Sequence, residues 1–255
     1  MAKRTVISDP ELGDLTFDRL TREVSIFQRA KGHRFSSDDI VTAYVAARLC
    51  PTPPERILDL GCGIGSVLLH LAWTFPNAAL VGIEAQAVSF ELLQRNVARN
   101  DLGSRVTVHH GDLRDPESIA KLGRGFDLIT GTPPYFPATA AIDATDEQRA
   151  YARIEYRGGI DAYIATAGAL LGVDGVISVC GDSRTQARVD EAAGQAALHC
   201  VDICRIVSKE GEAPLFSVWS FARHPRPCHE HTMTLRTSSG ETTPDARALR
   251  TFSGL

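Results

Sequence analysis

Short apolar runs alternate with longer stretches whose apolar residues recur every three or four positions through most of this chain. The short runs at 56–60, 79–84, 106–110, 126–130, 176–180, 201–207 and 215–221 read as strands. Between them, 40–49, 66–75, 88–100, 161–171 and 186–197 carry helical spacing. Ser36, Ser37, Asp38 and Asp39 offer capping oxygens to the first of these helices, and Pro51, Pro53 and Pro54 stop it. Strands separated by helices predict a parallel sheet covered on both faces. The last two strands are joined through Ser208-Lys209-Glu210-Gly211-Glu212, too short for a crossover helix, so they pair antiparallel. The expectation is an α/β, Rossmann-like fold: a mostly parallel seven-stranded sheet with an antiparallel last strand. Residues 1–35 read as a small N-terminal extension, with a turn at Gly13-Asp14 and a short strand at 24–27, and residues 36–223 as the main domain. Residues 224–255 are polar, carry Gly240 and Pro244, and read as a tail that wraps the surface or frays.

Composition narrows the class without naming a chemistry. The chain has 255 residues, 44% hydrophobic and 23% charged, with a net charge of −4. No apolar run approaches the ~20 residues of a membrane span. Met1-Ala2-Lys3-Arg4 leads into no signal-peptide core, so a cytoplasmic protein is expected. The acidic balance argues against a surface that binds nucleic acid everywhere, while leaving room for a local basic patch. The six cysteines form no C-x-x-C pair, and several lie in apolar strands as small hydrophobes. Cys228-His229-Glu230-His231 lacks a partner pair at zinc-finger spacing and reads as a solvated loop, so no metal is expected.

The chemistry gathers where strands end. Ile57-Leu58-Asp59-Leu60 runs into Gly61-Cys62-Gly63-Ile64-Gly65, and a helix follows at once. In a doubly wound sheet, ligands bind at the carboxyl ends of the central strands. Those ends here carry Gly61 to Gly65, Glu84, Asp112 and Thr132 to Tyr135. Glycines let a backbone approach its ligand closely. Glu84, 19 positions beyond Gly65, can accept hydrogen bonds from ribose hydroxyls. A dinucleotide site has the spacing G-x-G-x-x-G and holds a pyrophosphate at the helix N-terminus. Here the spacing is G-x-G-x-G, and Asp59 stands ahead of it, which suits a cationic group better than a diphosphate. S-adenosylmethionine carries a sulfonium, an ammonium and an adenosine, and no phosphate.

Asp59-x-Gly61-x-Gly63-x-Gly65, Glu84 and Asp112 together resemble the first three motifs of the class I S-adenosylmethionine-dependent methyltransferases. The resemblance implies that Gly61, Cys62, Gly63 and Gly65 face the methionine and ribose. It gives Glu84 and Ala85 to the ribose hydroxyls, Asp112 and Leu113 to the adenine, and adds Lys31 and Phe35 to the cofactor's surroundings. Phe126 to Phe136, with Thr132-Pro133-Pro134-Tyr135 at its centre, is similar to the Asn/Asp-Pro-Pro-Tyr motif of enzymes that methylate planar nitrogen. In that motif two prolines stiffen a loop, a side chain and a backbone carbonyl accept the two amine hydrogens, and an aromatic ring stacks on the base. With Gly32 to Asp38, Arg153-x-Glu155 and Gly240 to Pro244, the likeness extends to the bacterial tRNA(Val) adenine-37 N6-methyltransferase family. It implies a monomer or weak dimer that methylates adenine in tRNA or a related RNA.

Thr132 departs from that pattern. A hydroxyl has one acceptor oxygen on a shorter arm than an amide or carboxylate. A methyltransferase of the same fold acting on a small molecule or a protein side chain therefore stands as the alternative, and an inactive RNA-binding subunit as another. Arg34, Phe136, Arg149, Arg153 and Arg157 are the candidate substrate contacts. Arg149, Arg153 and Arg157 are spaced by four and would share one helical face, reading either as phosphate contacts or as a solvated face paired with Asp146, Glu147 and Glu155. Arg29, Lys31, His33 and Arg34 read either as a solvated turn or as a basic lip beside the cofactor. A wide basic rim would favour RNA, and a pocket roofed by residues 137–160 a small molecule.

Overall fold

The computed structural model describes residues 5–137, 139 and 146–255; residues 138 and 140–145, part of the expected roof, lie outside the described residues, as do 1–4. Strands β1 (Val6–Asp9), β2 (Gly13–Arg19) and β3 (Ser25–Arg29) form a small antiparallel sheet where the sequence suggested one strand. Then come α1 (Ser37–Arg48), β4 (Arg56–Leu60), α2 (Ser66–Thr74), β5 (Ala79–Glu84), α3 (Ala87–Arg99), β6 (Val106–His110), α4 (Pro116–Ala120) and β7 (Phe126–Gly131). After α5 (Glu147–Arg153) and α6 (Ile160–Leu170) follow β8 (Leu171–Gly181), α7 (Gln186–Gln195), β9 (His199–Lys209), β10 (Phe216–Ala222), β11 (His229–Arg236) and α8 (Pro244–Ser253).

The main sheet has the order β11-β9-β10-β8-β7-β4-β5-β6. The strands from β6 to β8 run parallel, and β10 inserts antiparallel between β8 and β9, as the short link before it required. The sheet has eight strands, not seven. The added strand, β11, comes from the expected tail and runs parallel to β9. Its sequence, HEHTMTLR, buries Met233 alone, so an edge strand without an alternating apolar face escaped the pattern. The tail continues into α8, whose Thr243 side chain caps Ala246 N–H at 3.2 Å. Helix α8 buries Leu249 and Ser253 and lays Phe252 on the ring of His70, with ring centroids 4.5 Å apart.

Period-two alternation decides which face each strand residue serves. Ile57 and Leu128 join the core beneath α2 and α3; Leu58, Leu60 and Ile129 join the opposite core beneath α6 and α7. The same alternation sends Asp59 and Thr130, register partners on β4 and β7, to the α2 side.

Two asparagines one helical turn apart, Asn96 on α3 and Asn100 at its C-terminal cap, join the N-terminal sheet to this body. Asn96 accepts Phe27 N–H at 2.7 Å and donates to the carbonyls of Phe27 (3.1 Å) and Ile64 (2.9 Å). Asn100 exchanges a like pair of bonds with Ser25. Asn96 is fully buried, and its Ile64 bond also fastens the glycine turn. Replacing Asn96 with Ala is expected to cost about 2–4 kcal/mol, because partner groups are left buried without hydrogen bonds. Urea unfolding should show a lowered midpoint at an unchanged slope.

Candidate functional site

The site lies where β4, β5, β6 and β7 end. The glycine turn leaves β4 through left-handed backbone, with φ +57° at Gly61 and +56° at Gly63. A Cβ at Gly61 would fall 2.0 Å from the Tyr163 hydroxyl, so only glycine fits there. Around Gly63 nothing lies within 4 Å of that position, which leaves an open cradle for a ligand against the backbone. Gly65 then serves as N-cap of α2.

Glu84, at the end of β5 and 6% exposed, accepts Gly63 N–H at 2.8 Å and Gln86 N–H at 2.7 Å. Burial pushes its carboxyl above the ordinary range, and these amide bonds and the charge of Arg157 pull it back. Asp112, at the end of β6, pairs with Arg114 at 2.8 Å, and the hydrogen bond from that guanidinium holds its carboxyl pKa below the usual value. Gly61, Cys62, Gly63, Phe35, Glu84, Ala85, Asp112, Leu113, Thr132 and Pro134 all line one pocket.

Three expected cofactor residues do not line it: Gly65, which caps α2 and packs against Leu69 and Leu93, Asp59 and Lys31. Asp59 is 1% exposed and does not line the pocket. Strand alternation turns it under α2, where its Oδ1 accepts from Thr130 Oγ1 at 2.8 Å and its Oδ2 has no hydrogen-bond partner. Burial pushes it up to about 7, against the Thr130 hydrogen bond. Lys31 is exposed and lines neither this pocket nor the cleft beside it.

The structure also brings in residues the motifs did not flag. Asp39, buried in the first turn of α1, lines the pocket while its Oδ2 accepts Ser36 N–H at 2.9 Å. Burial, with the neighbouring Asp38 charge second, raises Asp39 well above an ordinary carboxyl. Its place in the capping sequence was visible, but not its reach into the site. His33, from the basic cluster that the sequence read as a solvated turn or a lip beside the cofactor, lines the pocket, as does Tyr163, which carries no local sequence signal. Burial lowers the His33 pKa, favouring the neutral ring, and the charge of Asp38 partly opposes this.

A second cavity, a cleft of about 890 Å³, adjoins the first. Pro133, Tyr135, Phe136, Arg34, Arg149 and Arg153 line it, and Thr132, His33, Phe35, Asp39 and Ala152 line both cavities. The Thr-Pro-Pro-Tyr loop is held at two points. Phe136 N–H donates to Arg153 O at 2.9 Å, and Glu155 N–H donates to Phe136 O at 2.8 Å. The Tyr135 hydroxyl donates to Asp38 at 3.2 Å and lies 3.1 Å from Cys180 Sγ.

The three arginines spaced by four do not share a helical face. Helix α5 ends at Arg153, and Ile154 is extended. Arg149 and Arg153 remain exposed on the cleft, Arg153 over the Phe136 ring at 5.9 Å. Arg157 turns into the pocket over Tyr151 at 4.5 Å, with a buried Nη1 that has no hydrogen-bond partner. The expected acidic partners are taken by others: Asp146 pairs with Arg29 at 2.9 Å, and Glu155 with Arg188 at 2.7 Å. Arg34 is held by Asp18 at 2.9 Å.

These residues fit S-adenosylmethionine. The cradle at Gly63 admits a ligand against the backbone, and the unpartnered Arg157 nitrogen awaits an acceptor. A lining of Glu84, Asp39 and Asp112 suits ribose hydroxyls and positive charge and would repel a diphosphate.

Residues 57–157 match the family model described as a methyltransferase domain. The chain is 38% identical over 112 residues to the ribosomal protein uL3 glutamine methyltransferase of Bradyrhizobium diazoefficiens, covering 44% of this chain and 34% of that one. It is 29% identical over 160 residues to the tRNA1(Val) (adenine(37)-N6)-methyltransferase of Porphyromonas gingivalis, covering 62% of each. The chain thus spans from a third to about three fifths of the length of these relatives. Among solved structures, a predicted O-methyltransferase from Agrobacterium tumefaciens superposes with a TM-score of 0.64 at 18% identity, over 85% of this chain and 96% of that one. The fold is that of the class I methyltransferases, whose cofactor is S-adenosylmethionine, and the sequence resembles the tRNA(Val) adenine family.

Two outcomes are expected. Glu84→Gln should weaken S-adenosylmethionine binding about 10- to 100-fold in calorimetric titration, through loss of charge-assisted hydrogen bonds. Asp59, raised to about 7 when folded, makes the folded state hold its proton longer than the unfolded chain does. Its contribution therefore favours folding at low pH and is lost progressively as pH rises from about 4 to about 7, by roughly 3–4 kcal/mol. Asp59→Asn should flatten that decline in denaturation midpoints measured across the same range.

Proposed function

We propose that this chain, whose fold and domain match are those of a class I methyltransferase, moves a methyl group from S-adenosylmethionine to the exocyclic amine of an adenine in tRNA or a related RNA. The carrying observation is the junction at Thr132. The Thr-Pro-Pro-Tyr loop stands between an acidic pocket and a larger cleft, and Thr132 lines both. The adenine family's names among the relatives support the acceptor class.

When bound, S-adenosylmethionine supplies an electrophilic methyl on a sulfonium. The chain's part is to position and desolvate the acceptor. The Pro133 carbonyl accepts one amine hydrogen, and the Thr132 hydroxyl offers the other acceptor. Phe136, backed by the Arg153 guanidinium, offers a stacking face to the base. Arg149 and Arg153, exposed at the cleft, contact phosphate. His33 lines both cavities and is kept neutral by burial, so it can take the proton that leaves the amine. Location in the cytoplasm, where tRNA is modified, belongs to the same reading; among the described residues no helix is long and apolar enough to cross a membrane.

A second reading has its own support. Thr132 carries its one acceptor oxygen on a shorter arm than Asn or Asp does, and the carboxylates of Asp38 and Asp182 line the cleft beside the arginines. A small molecule or a protein side chain, such as a glutamine amide, would meet less repulsion there than a polyanion.

Incubation with labelled S-adenosylmethionine and bulk tRNA should yield N6-methyladenosine on nucleoside analysis. Label entering a metabolite extract or ribosomal protein instead, with tRNA unlabelled, would favour the second reading. Thr132→Asn should keep or raise tRNA methylation; loss of activity with cofactor binding intact would assign the hydroxyl to different acceptor chemistry.

A further inference from the structure

Two cysteines far apart in the chain meet at the sheet edge. Cys200 is the second residue of β9 and half-buried; Cys228 is exposed and immediately precedes β11. Their sulfurs lie 3.4 Å apart, with Cys228 Sγ–H donating to Cys200 Sγ. Strands β9 and β11 are parallel partners, with His229 opposite Asp202, so both thiols sit at the same end of one ladder. By that register Cys228 falls level with Val201, one residue along from Cys200, and the 3.4 Å between the sulfurs brings the pair within reach of a bond. Cys62, Cys180 and Cys204 are buried, and Cys50 Sγ is bonded to the Ala46 carbonyl.

Metal binding is the competing use of a thiol pair beside histidines. Among the described residues no group of three or more His, Cys, Asp and Glu is placed to hold an ion. His231 faces the buried Asp202 instead, with Nδ1 3.6 Å from Oδ1.

We propose that Cys200 and Cys228 form a reversible, oxidant-dependent disulfide that staples the edge strand β11 to β9. The oxidant is a low-molecular-weight disulfide of the glutathione class. The Cys228 thiolate attacks one sulfur of that disulfide, forms a mixed disulfide and expels one small thiolate. Cys200, deprotonated in turn, attacks the Cys228 sulfur, forms the internal bond and expels the second. The chain gives up two electrons and two protons; the small disulfide takes both and leaves as two thiols. Burial and the adjacent Cys228 hold the Cys200 thiol up to about 12, which leaves the first attack to the exposed partner. The consequence is mechanical. Strand β11 is an edge with Met233 as its one buried residue, and the cross-link clamps its start while restricting the unfolded chain.

The purified full-length chain, reduced and then equilibrated with excess oxidised glutathione, is alkylated, digested without reductant and mapped by mass spectrometry. The proposal expects a Cys200–Cys228 cross-linked peptide, an intact mass lower by two hydrogens, and full reversal by dithiothreitol. The oxidised chain should melt a few degrees above the reduced one. C228S, a change at an exposed position, should lose both the cross-link and the shift. A persistent glutathione adduct on Cys228, a Cys228-linked dimer, a bridge to any other cysteine, or an unmodified pair would each overturn it.

Discussion

The Glu84 carboxylate is the constraint on which the site depends. It ends β5, yet it grips the Gly63 amide of the turn that follows β4 and the Gln86 amide that opens α3. One buried charge thus joins three segments, and the two bonds to backbone N–H groups offset much of the cost of burying it. The turn can open as a cradle only because Gly61 and Gly63 take left-handed backbone, and at Gly61 the Tyr163 hydroxyl leaves no room for a side chain. Asn96 supports the same turn from behind through the Ile64 carbonyl. Strand, turn and helix are therefore preorganised, and ligand binding need not order them.

Around this frame the electrostatics divide into two regions. The pocket is acidic, with Glu84, Asp39 and Asp112 in its wall and Asp59 behind it, tempered by the guanidinium of Arg157 and, at Asp112, by that of Arg114. The cleft is mixed: Arg149 and Arg153 stand exposed with Phe136, and Asp38 reaches the Tyr135 hydroxyl. The two regions share Thr132, His33, Phe35, Asp39 and Ala152. A net charge of −4 is thus compatible with a local basic rim, because charge is distributed by fold and not by composition.

Much of this was legible in the chain. The parallel core strands, the antiparallel β10 and the strand-end residues Gly61, Gly63, Glu84, Asp112 and Thr132 follow from spacing and alternation, which are local properties. Strand β11 was not legible, because an edge strand with one buried residue has no apolar alternation to betray it. Nor was the break in the arginine series. A spacing of four implies a shared face only while the helix lasts, and α5 ends at Arg153.

The sequence by itself determined the layered α/β architecture, the glycine turn and the acids at the strand ends, because each is set by neighbours within a few residues. Tertiary structure alone decided which of those groups face the ligand. Asp59 shares the motif of the glycines, but the pleat of β4 turns it beneath α2 to Thr130. Asp39 read as a helix cap and His33 as part of a turn or lip, yet the packing of α1 and the N-terminal sheet against the strand ends carries both to the junction. Facing and proximity across the fold depend on how separate elements dock, and no local pattern of residues encodes that.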